Sequence, residues 1–203
     1  DLKFETILDV GSNKGQFILL VEKFFKNKII YSFEPISEIL DKQKKFFGYR
    51  KNIYFFNIGI GEKSQKKNFY ITNRKDSSSF LKVDKNINKN KDYNIKEQRE
   101  IQIKSLDEII INANLITPIL IKIDVQGYEL EVLKGSTSLL KKVKYIIVEI
   151  SNKEIYLGQS VANEVIEYLY KLNFTIKKEN WPTKISNSDY IQSDILFENQ
   201  LID

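Results

Sequence analysis

Ile7-Leu8-Asp9-Val10-Gly11-Ser12-Asn13-Lys14-Gly15-Gln16-Phe17 reads as a strand, a glycine turn and the start of a helix. A short apolar run ends in an acid, and beyond it Phe17, Leu20, Val21, Phe24 and Phe25 recur at three- and four-residue steps. That recurrence predicts one apolar helix face. Gly11 suits a turn where a Cβ would clash, and Gly15 suits a close approach of backbone to a ligand. The helix N-terminus behind them offers free N–H groups to a negatively charged ligand group. The stretch is the opening of a nucleotide-binding βαβ unit.

The second strand, Ile29-Ile30-Tyr31-Ser32-Phe33, ends at Glu34-Pro35, with Glu34 placed 23 residues after Gly11. An acid at that tip can accept hydrogen bonds from both ribose hydroxyls, so a nucleoside ligand is expected. A dinucleotide G-x-G-x-x-G fingerprint would need glycine where Asn13 and Gln16 stand, and no G-x-x-x-x-G-K-[ST] run occurs. The remaining pattern, D-x-G-x-N-x-G, resembles the first motif of class I S-adenosylmethionine-dependent methyltransferases. Asn13 replaces their usual middle glycine and tolerates left-handed backbone better than most residues.

The 203 residues are most simply one domain, 1–203, with a substantial core. Charged residues at 29% and hydrophobic ones at 42% are ordinary for a soluble globular protein, and a cytoplasmic location is expected. No apolar run approaches the ~20 residues of a membrane span. With no cysteine, disulfides, thiolate nucleophiles and cysteine zinc sites are excluded together. With no histidine, proton transfer must use a carboxylate, tyrosine, lysine or water. The net charge of +5 is spread along the chain among Glu and Asp, which reads as a solvated lysine-rich surface rather than a nucleic-acid footprint.

Further along, Ser37 is placed to cap a helix bearing Ile36, Ile39, Leu40, Gln43, Phe46 and Phe47 on one side, with Gly48 past its end. Ile53-Tyr54-Phe55-Phe56 predicts a third strand ending at Asn57-Ile58-Gly59, and Lys67 to Thr72 alternates as a strand. From Asp76 to about Lys104 the pattern weakens, through a lysine- and asparagine-rich segment from Lys82 to Glu100. It reads as a mobile surface connection, either a lid or a plain loop, before strand-like Ile101-Gln102-Ile103. Ser105 caps a short helix. Ile119 to Ile123 and Tyr145 to Ile150 are runs of the kind buried on both faces of a parallel sheet. Gly127 opens a helix interrupted near Gly135, and a capped helix runs from Ser160 to Leu172. Phe174-Thr175-Ile176 and Asp194-Ile195-Leu196-Phe197 close the chain as an antiparallel edge hairpin. Alternating strands and helices predict an α/β sheet, mostly parallel, with right-handed crossovers and helices on both faces.

In such sheets ligands bind beyond the carboxyl ends of the strands. The tips carry Asp9 through Gly15, Glu34, Asn57 to Gly59, Asp124 with Gln126, and Glu149 with Ser151. Each has a structural alternative. Asp9 could orient the glycine loop, Asn57 could be a turn residue, Asp124 a helix cap, Glu129 a complement to a helix dipole, and Glu149 the partner of a buried lysine.

Asp9-Val10-Gly11-Ser12-Asn13-Lys14-Gly15-Gln16-Phe17, Phe33-Glu34-Pro35 and Leu120 through Gly135, with Asp124-Val125-Gln126-Gly127-Tyr128-Glu129 at its centre, together resemble the FkbM family of methyltransferases. Ser77-Ser78-Ser79, Ser105-Leu106-Asp107-Glu108 and Val148-Glu149 fall where that family has similar residues. The resemblance covers about Ile7 to Ile150. Gln126 departs from it, standing where the family usually carries glutamate. The resemblance implies a Rossmann-like class I fold with a seven-stranded sheet, and S-adenosylmethionine held by Asp9, Gly11, Ser12, Asn13, Gly15, Gln16, Phe17, Glu34, Pro35, Asn57, Gly59 and Asp124. It implies O-methylation of a small-molecule or glycan acceptor, without nucleic acid or a membrane span; a homo-oligomer is compatible with it. Asp124 is the first choice of base, with Glu129 and Glu149 in reserve; a metal is not expected. A nucleotide-binding oxidoreductase and a non-catalytic sugar- or protein-binding module are the alternatives.

Overall fold

The computed structural model describes residues 2–85, 91–113, 115–177 and 192–202. Its centre is strand β1 (Thr6–Val10), buried at all five positions and flanked in parallel by β2 (Ile29–Phe33) and β7 (Ile119–Ile123). With β3 (Ile53–Phe56), β8 (Val143–Ser151), β9 (Phe174–Ile176) and β10 (Gln192–Asn199), the sheet runs in the order β3-β2-β1-β7-β8-β10-β9. β10 is antiparallel to both β8 and β9, as the closing pair of strands predicted. This is the expected class I methyltransferase architecture.

Side chains alternate between faces, and the two cores follow. Leu8, Val10, Phe33, Ile121 and Val148 pack under α4 (Glu129–Lys134), α5 (Thr137–Leu140) and α6 (Ala162–Lys171). Ile7, Ile30, Leu120 and Ile147 pack under α1 (Gln16–Phe24) and the end of α2 (Ser37–Phe47). A second sheet, β4 (Gly59–Ile60), β6 (Ile95–Lys104) and β5 (Gln65–Thr72), sits over Ile36 and Ile39, with Phe69, Phe80 and Tyr128 between. The short helix α3 (Leu106–Ile109) is capped as predicted, Ser105 Oγ accepting from the Glu108 N–H.

Several local expectations are corrected. The buried face of α1 is Ile18 and Val21, while Leu20 and Phe24 are exposed, because the helix meets the sheet one residue out of phase with the expected stripe. Ser37 lies inside α2; the cap is Ile36, whose N–H is taken by the Glu34 carboxylate. Ser160 is likewise not a cap, and Glu164 serves the N–H of Val161. The strand expected at Ile101-Gln102-Ile103 begins earlier, at Ile95, in a stretch where a loop was expected, since β5 offers it an antiparallel partner. Within that expected loop, residues 86–90 lie outside the described residues.

Candidate active site

Register carries the sheet's polar residues to one place. Asp9 is level with Ser32 on one side and Lys122 on the other. Lys122 is level with Ile147, and Glu149 follows two residues later, paired with Asp194 of β10. Because the period is two, Asp9, Lys122, Glu149 and Asp194 emerge on the same face near the strand tips. Lys122 Nζ lies 3.4 Å from Asp124 Oδ2 and 3.1 Å from Asp194 Oδ1. Burial alone would lower its proton affinity, but Asp124, Asp194 and Asp9 overcome this and raise it.

These tips floor a cleft of about 460 Å³. That is within the range of small-molecule sites. Of the sequence-predicted residues, Asp9, Gly11, Ser12, Asn13, Gln16, Phe17, Glu34, Pro35, Gly59, Asp124 and Glu149 line it. Gly15, Asn57 and Glu129 are not part of the lining and act beneath it. At Gly15 (φ 82°) an added Cβ would fall 2.6 Å from the Phe47 ring, so its closeness is to α2 rather than to the cleft. Asn57 Nδ2 donates to the carbonyls of Glu34 and Pro35 at 2.9 and 3.0 Å, holding that turn from below. Buried Glu129 accepts from the N–H groups of Val125 (3.1 Å) and Gly127 (3.0 Å), fastening the loop after β7.

The glycine loop is locked from below. Ser12, Ser32 and Gln43 form a buried knot: Ser32 Oγ lies 2.8 Å from Ser12 Oγ and 2.7 Å from Gln43 Oε1, and Gln43 Nε2 donates to Ser12 Oγ and the Asn13 carbonyl. Asn13 takes the left-handed conformation expected of it, φ 46°. Its N–H donates to Glu34 Oε2 at 3.0 Å, while Ile36 N–H donates to Oε1 at 2.8 Å. A carboxylate has about four acceptor sites, so Glu34 keeps capacity for ribose hydroxyls after both bonds. Burial pushes Glu34 up to about 7 against those two N–H groups.

Asp9 is fully enclosed, and its Oδ2 has no hydrogen-bond partner among the described residues; burial raises it to about 7. A buried, unpaired acceptor facing a cleft calls for a donor or a cation from a ligand. Glu149 is pushed up to about 8 by burial and by Asp124, Glu129 and Asp194, against Lys122. Between Asp124 and Glu149 sits Gln126, left-handed at φ 56°, whose Nε2 donates to both, at 2.8 and 2.9 Å. Gln192 Nε2 also reaches Glu149 Oε2, at 3.0 Å. Tyr156 Oη donates to Gln126 Oε1 (2.8 Å) and lies 3.1 Å from the Ser77 carbonyl.

Sequence reasoning missed Lys122, Asp194, Gln192, Tyr156 and the wall formed by Arg74, Lys75 and Tyr93. Only Lys122 left a signal, as the one charge inside an apolar strand. The others depend on pairings between distant segments. Among the described residues no group of three or more carboxylates is gathered to hold a metal.

A Rossmann-like sheet whose strand tips present a glycine loop, an acid on β2 and an acidic pocket floor defines a class I methyltransferase. The model of the methyltransferase FkbM domain matches residues 9–176, and the chain belongs to that family. The 2-O-methyltransferase NoeI of Sinorhizobium fredii is 24% identical over 80% of this chain and 70% of its own length. The hexuronic acid methyltransferase AglP of Haloferax volcanii is 38% identical over 29% of this chain and 25% of its own. In fold, the chain is similar to M. capricolum TrmK in complex with S-adenosylhomocysteine (TM-score 0.54, 14% identity) and to Aeropyrum pernix fibrillarin with bound S-adenosylmethionine (TM-score 0.54, 12% identity). These alignments cover 97% and 95% of this chain but 62% and 66% of those, so it spans under two thirds of either. Among the described residues no helix is long and apolar enough to cross a membrane. S-adenosylmethionine is the family's methyl donor. The residues present fit it: the unpaired Asp9 oxygen and the acidic floor suit a ligand carrying positive charge, and Glu34 retains acceptors for a ribose.

Proposed function

We propose that residues 1–203 act as one domain that transfers the methyl group of S-adenosylmethionine to a hydroxyl of a sugar, glycan or secondary metabolite. The observation that carries this reading is the imbalance of charge in the cleft. Asp9, Glu34, Asp124, Glu149 and Asp194 floor it against the buried cation Lys122, while Arg74, Lys75 and Asp76 line one exposed wall. Such a floor favours a cationic donor and supplies a base for a neutral hydroxyl. When bound, S-adenosylmethionine supplies an electrophilic methyl group on a positively charged sulfur. Glu34 would hold the ribose, and Asp9 and Asp124 the amino-acid end.

Glu149 replaces Asp124 as the favoured base. Asp124 gives one oxygen to Gln126 and turns the other toward Lys122. Glu149 has only Oε2 engaged; Oε1 has no hydrogen-bond partner among the described residues. Its raised proton affinity lies close to the operating pH, where a general base works best. Glu129 is occupied by backbone and buried away from the cleft. The names of NoeI and AglP support a hydroxyl on a sugar as the acceptor.

Two measurements test the reading. Calorimetry should show saturable binding of S-adenosylhomocysteine and none of NAD. Incubation with labelled S-adenosylmethionine and a panel of glycans should add one methyl group, stable to base, to a hydroxyl. Absence of S-adenosylhomocysteine binding would reject the proposal; binding without transfer to any hydroxyl would reduce the chain to a non-catalytic module.

A further inference from the structure

One wall of the cleft differs in charge from its floor. Arg74, Lys75, Asp76 and Tyr93 line it, two cations to one acid, and the two basic side chains are exposed to solvent. Their short 3-10 turn, Lys75–Ser77, is built into the site rather than loosely draped over it. Arg74 N–H donates to the Asp92 carbonyl at 3.0 Å, Ser77 N–H to the Arg74 carbonyl at 2.9 Å, and Thr72 N–H to Ser78 Oγ at 3.1 Å. Ser79 Oγ donates to the Gln126 carbonyl at 2.6 Å, and Tyr156 Oη reaches both Ser77 and Gln126. The turn thus reaches Gln126, the residue that bridges Asp124 and Glu149, through the Tyr156 hydroxyl, and Ser79 just beyond it bonds Gln126 directly.

Arg74 Nε pairs with Asp76 Oδ1 at 2.7 Å. That pair orients the guanidinium, and its terminal nitrogens donate no hydrogen bond among the described residues. Glu97 acts on Lys75 only through space. Tyr93 packs beside the cluster of Val83, Ile155 and Tyr156 and offers the cleft an aromatic surface. A planar fork, an ammonium and an aromatic ring on one wall make a recognition set for a sugar bearing a carboxylate or phosphate. Such a sugar would be anchored by its charge while a hydroxyl points to Glu149.

Resting on the methyltransferase reading above, we propose that Arg74, Lys75 and Tyr93 form an acceptor subsite for an anionic sugar. The probes are methyl glucuronoside, glucose 6-phosphate and methyl glucoside, titrated by NMR into the full chain saturated with S-adenosylhomocysteine. At least one charged sugar is expected to bind tenfold or more tightly than the neutral glucoside. R74Q/K75Q should abolish that preference while melting temperature and S-adenosylhomocysteine affinity stay unchanged. The better of the two charged probes identifies carboxylate or phosphate as the group recognised. Equal binding of charged and neutral sugars, no binding of either charged sugar, a preference that survives R74Q/K75Q, or tighter binding of a uridine decamer overturns the subsite. Any of these results with intact S-adenosylhomocysteine binding leaves the methyltransferase reading standing; lost S-adenosylhomocysteine binding in the unmodified chain overturns that reading instead.

Discussion

Gln126 Nε2 donates to Glu149 Oε2 at 2.9 Å, and the same nitrogen donates to Asp124 Oδ1 at 2.8 Å. A carboxamide has two N–H hydrogens and one carbonyl oxygen. Here both hydrogens are used on acids, and the oxygen accepts from Tyr156. No carboxyl group could do this: ionised it has no hydrogen to donate, and protonated it has only one. A glutamate at this position would set a third acid between two others.

Gln126→Glu is therefore expected to raise the proton affinity of Glu149 further, since an added like charge and the loss of a donor act in the same direction. The alkaline rise of kcat should move up by about one pH unit or more, with turnover at pH 7.5 falling roughly tenfold. A pH–rate profile measures both. An unmoved profile would show that the amide does not govern the pair.

Glu149→Gln removes the proposed base but keeps an acceptor and nearly the same volume. Turnover should fall by about 10²- to 10⁴-fold, with S-adenosylhomocysteine affinity little changed. In the unmodified protein kcat should climb as pH rises through about 8, where Glu149 loses its proton. In the variant that limb should vanish. A variant that keeps the limb would transfer the base role back to Asp124.

Glu129 offers a test on stability. Burial lifts it from the ordinary carboxylate value of 4.5 to about 7 in the folded chain. Between those values the folded state holds more protons than the unfolded one, so its contribution to stability decreases as pH rises through that window. Glu129→Gln removes the buried charge, and its side-chain oxygen can still accept from Val125 and Gly127. The variant should melt higher than the parent at pH 8, on the order of 5 °C, and the gap should close near pH 4.5. Calorimetric melts at both pH values decide it; a lower melting temperature at pH 8 would mean that the charge itself holds the loop.

The sheet was legible because its signals are local. Nearly continuous apolar runs such as Ile119–Ile123 are too short for typical helices and suit strands buried on both faces, and turn residues separate them from amphipathic helices. The side of the cleft proposed for the cofactor was legible for the same reason: Asp9, Asn13 and Glu34 lie in short motifs whose spacing has a mechanical meaning. What stayed hidden depends on contacts between distant segments. Asp194 reaches the site because β10 pairs with β8 in one register, and Arg74 because β5 finds β6 across the turn. Gln126 was visible as a departure, but its use needs Tyr156, 30 residues on. The reason offered for Gly15 was ligand approach, and the neighbour proves to be Phe47, which no local pattern connects to it.

Gly11 and Gly15 both have positive φ, yet their alanine variants are expected to fail differently. A Cβ on Gly11 would sit 1.9 Å from the carbonyl oxygen of Asp124. That obstacle is backbone, so relief requires the tips of β1 and β7 to separate, which spreads Asp9 from Asp124. Gly11→Ala should weaken S-adenosylhomocysteine binding at least tenfold, about 1.4 kcal/mol or more, and no single second change should restore it. A Cβ on Gly15 meets a side chain, the Phe47 ring. Gly15→Ala should lose stability through that clash and through left-handed strain of roughly 1–2 kcal/mol. Adding Phe47→Leu should then cost less in the Gly15→Ala background than in the parent, because one clash is removed as one cavity is made. A double-mutant cycle by denaturant unfolding measures that coupling. Simple additivity would mean that Gly15 is required for its backbone angle alone.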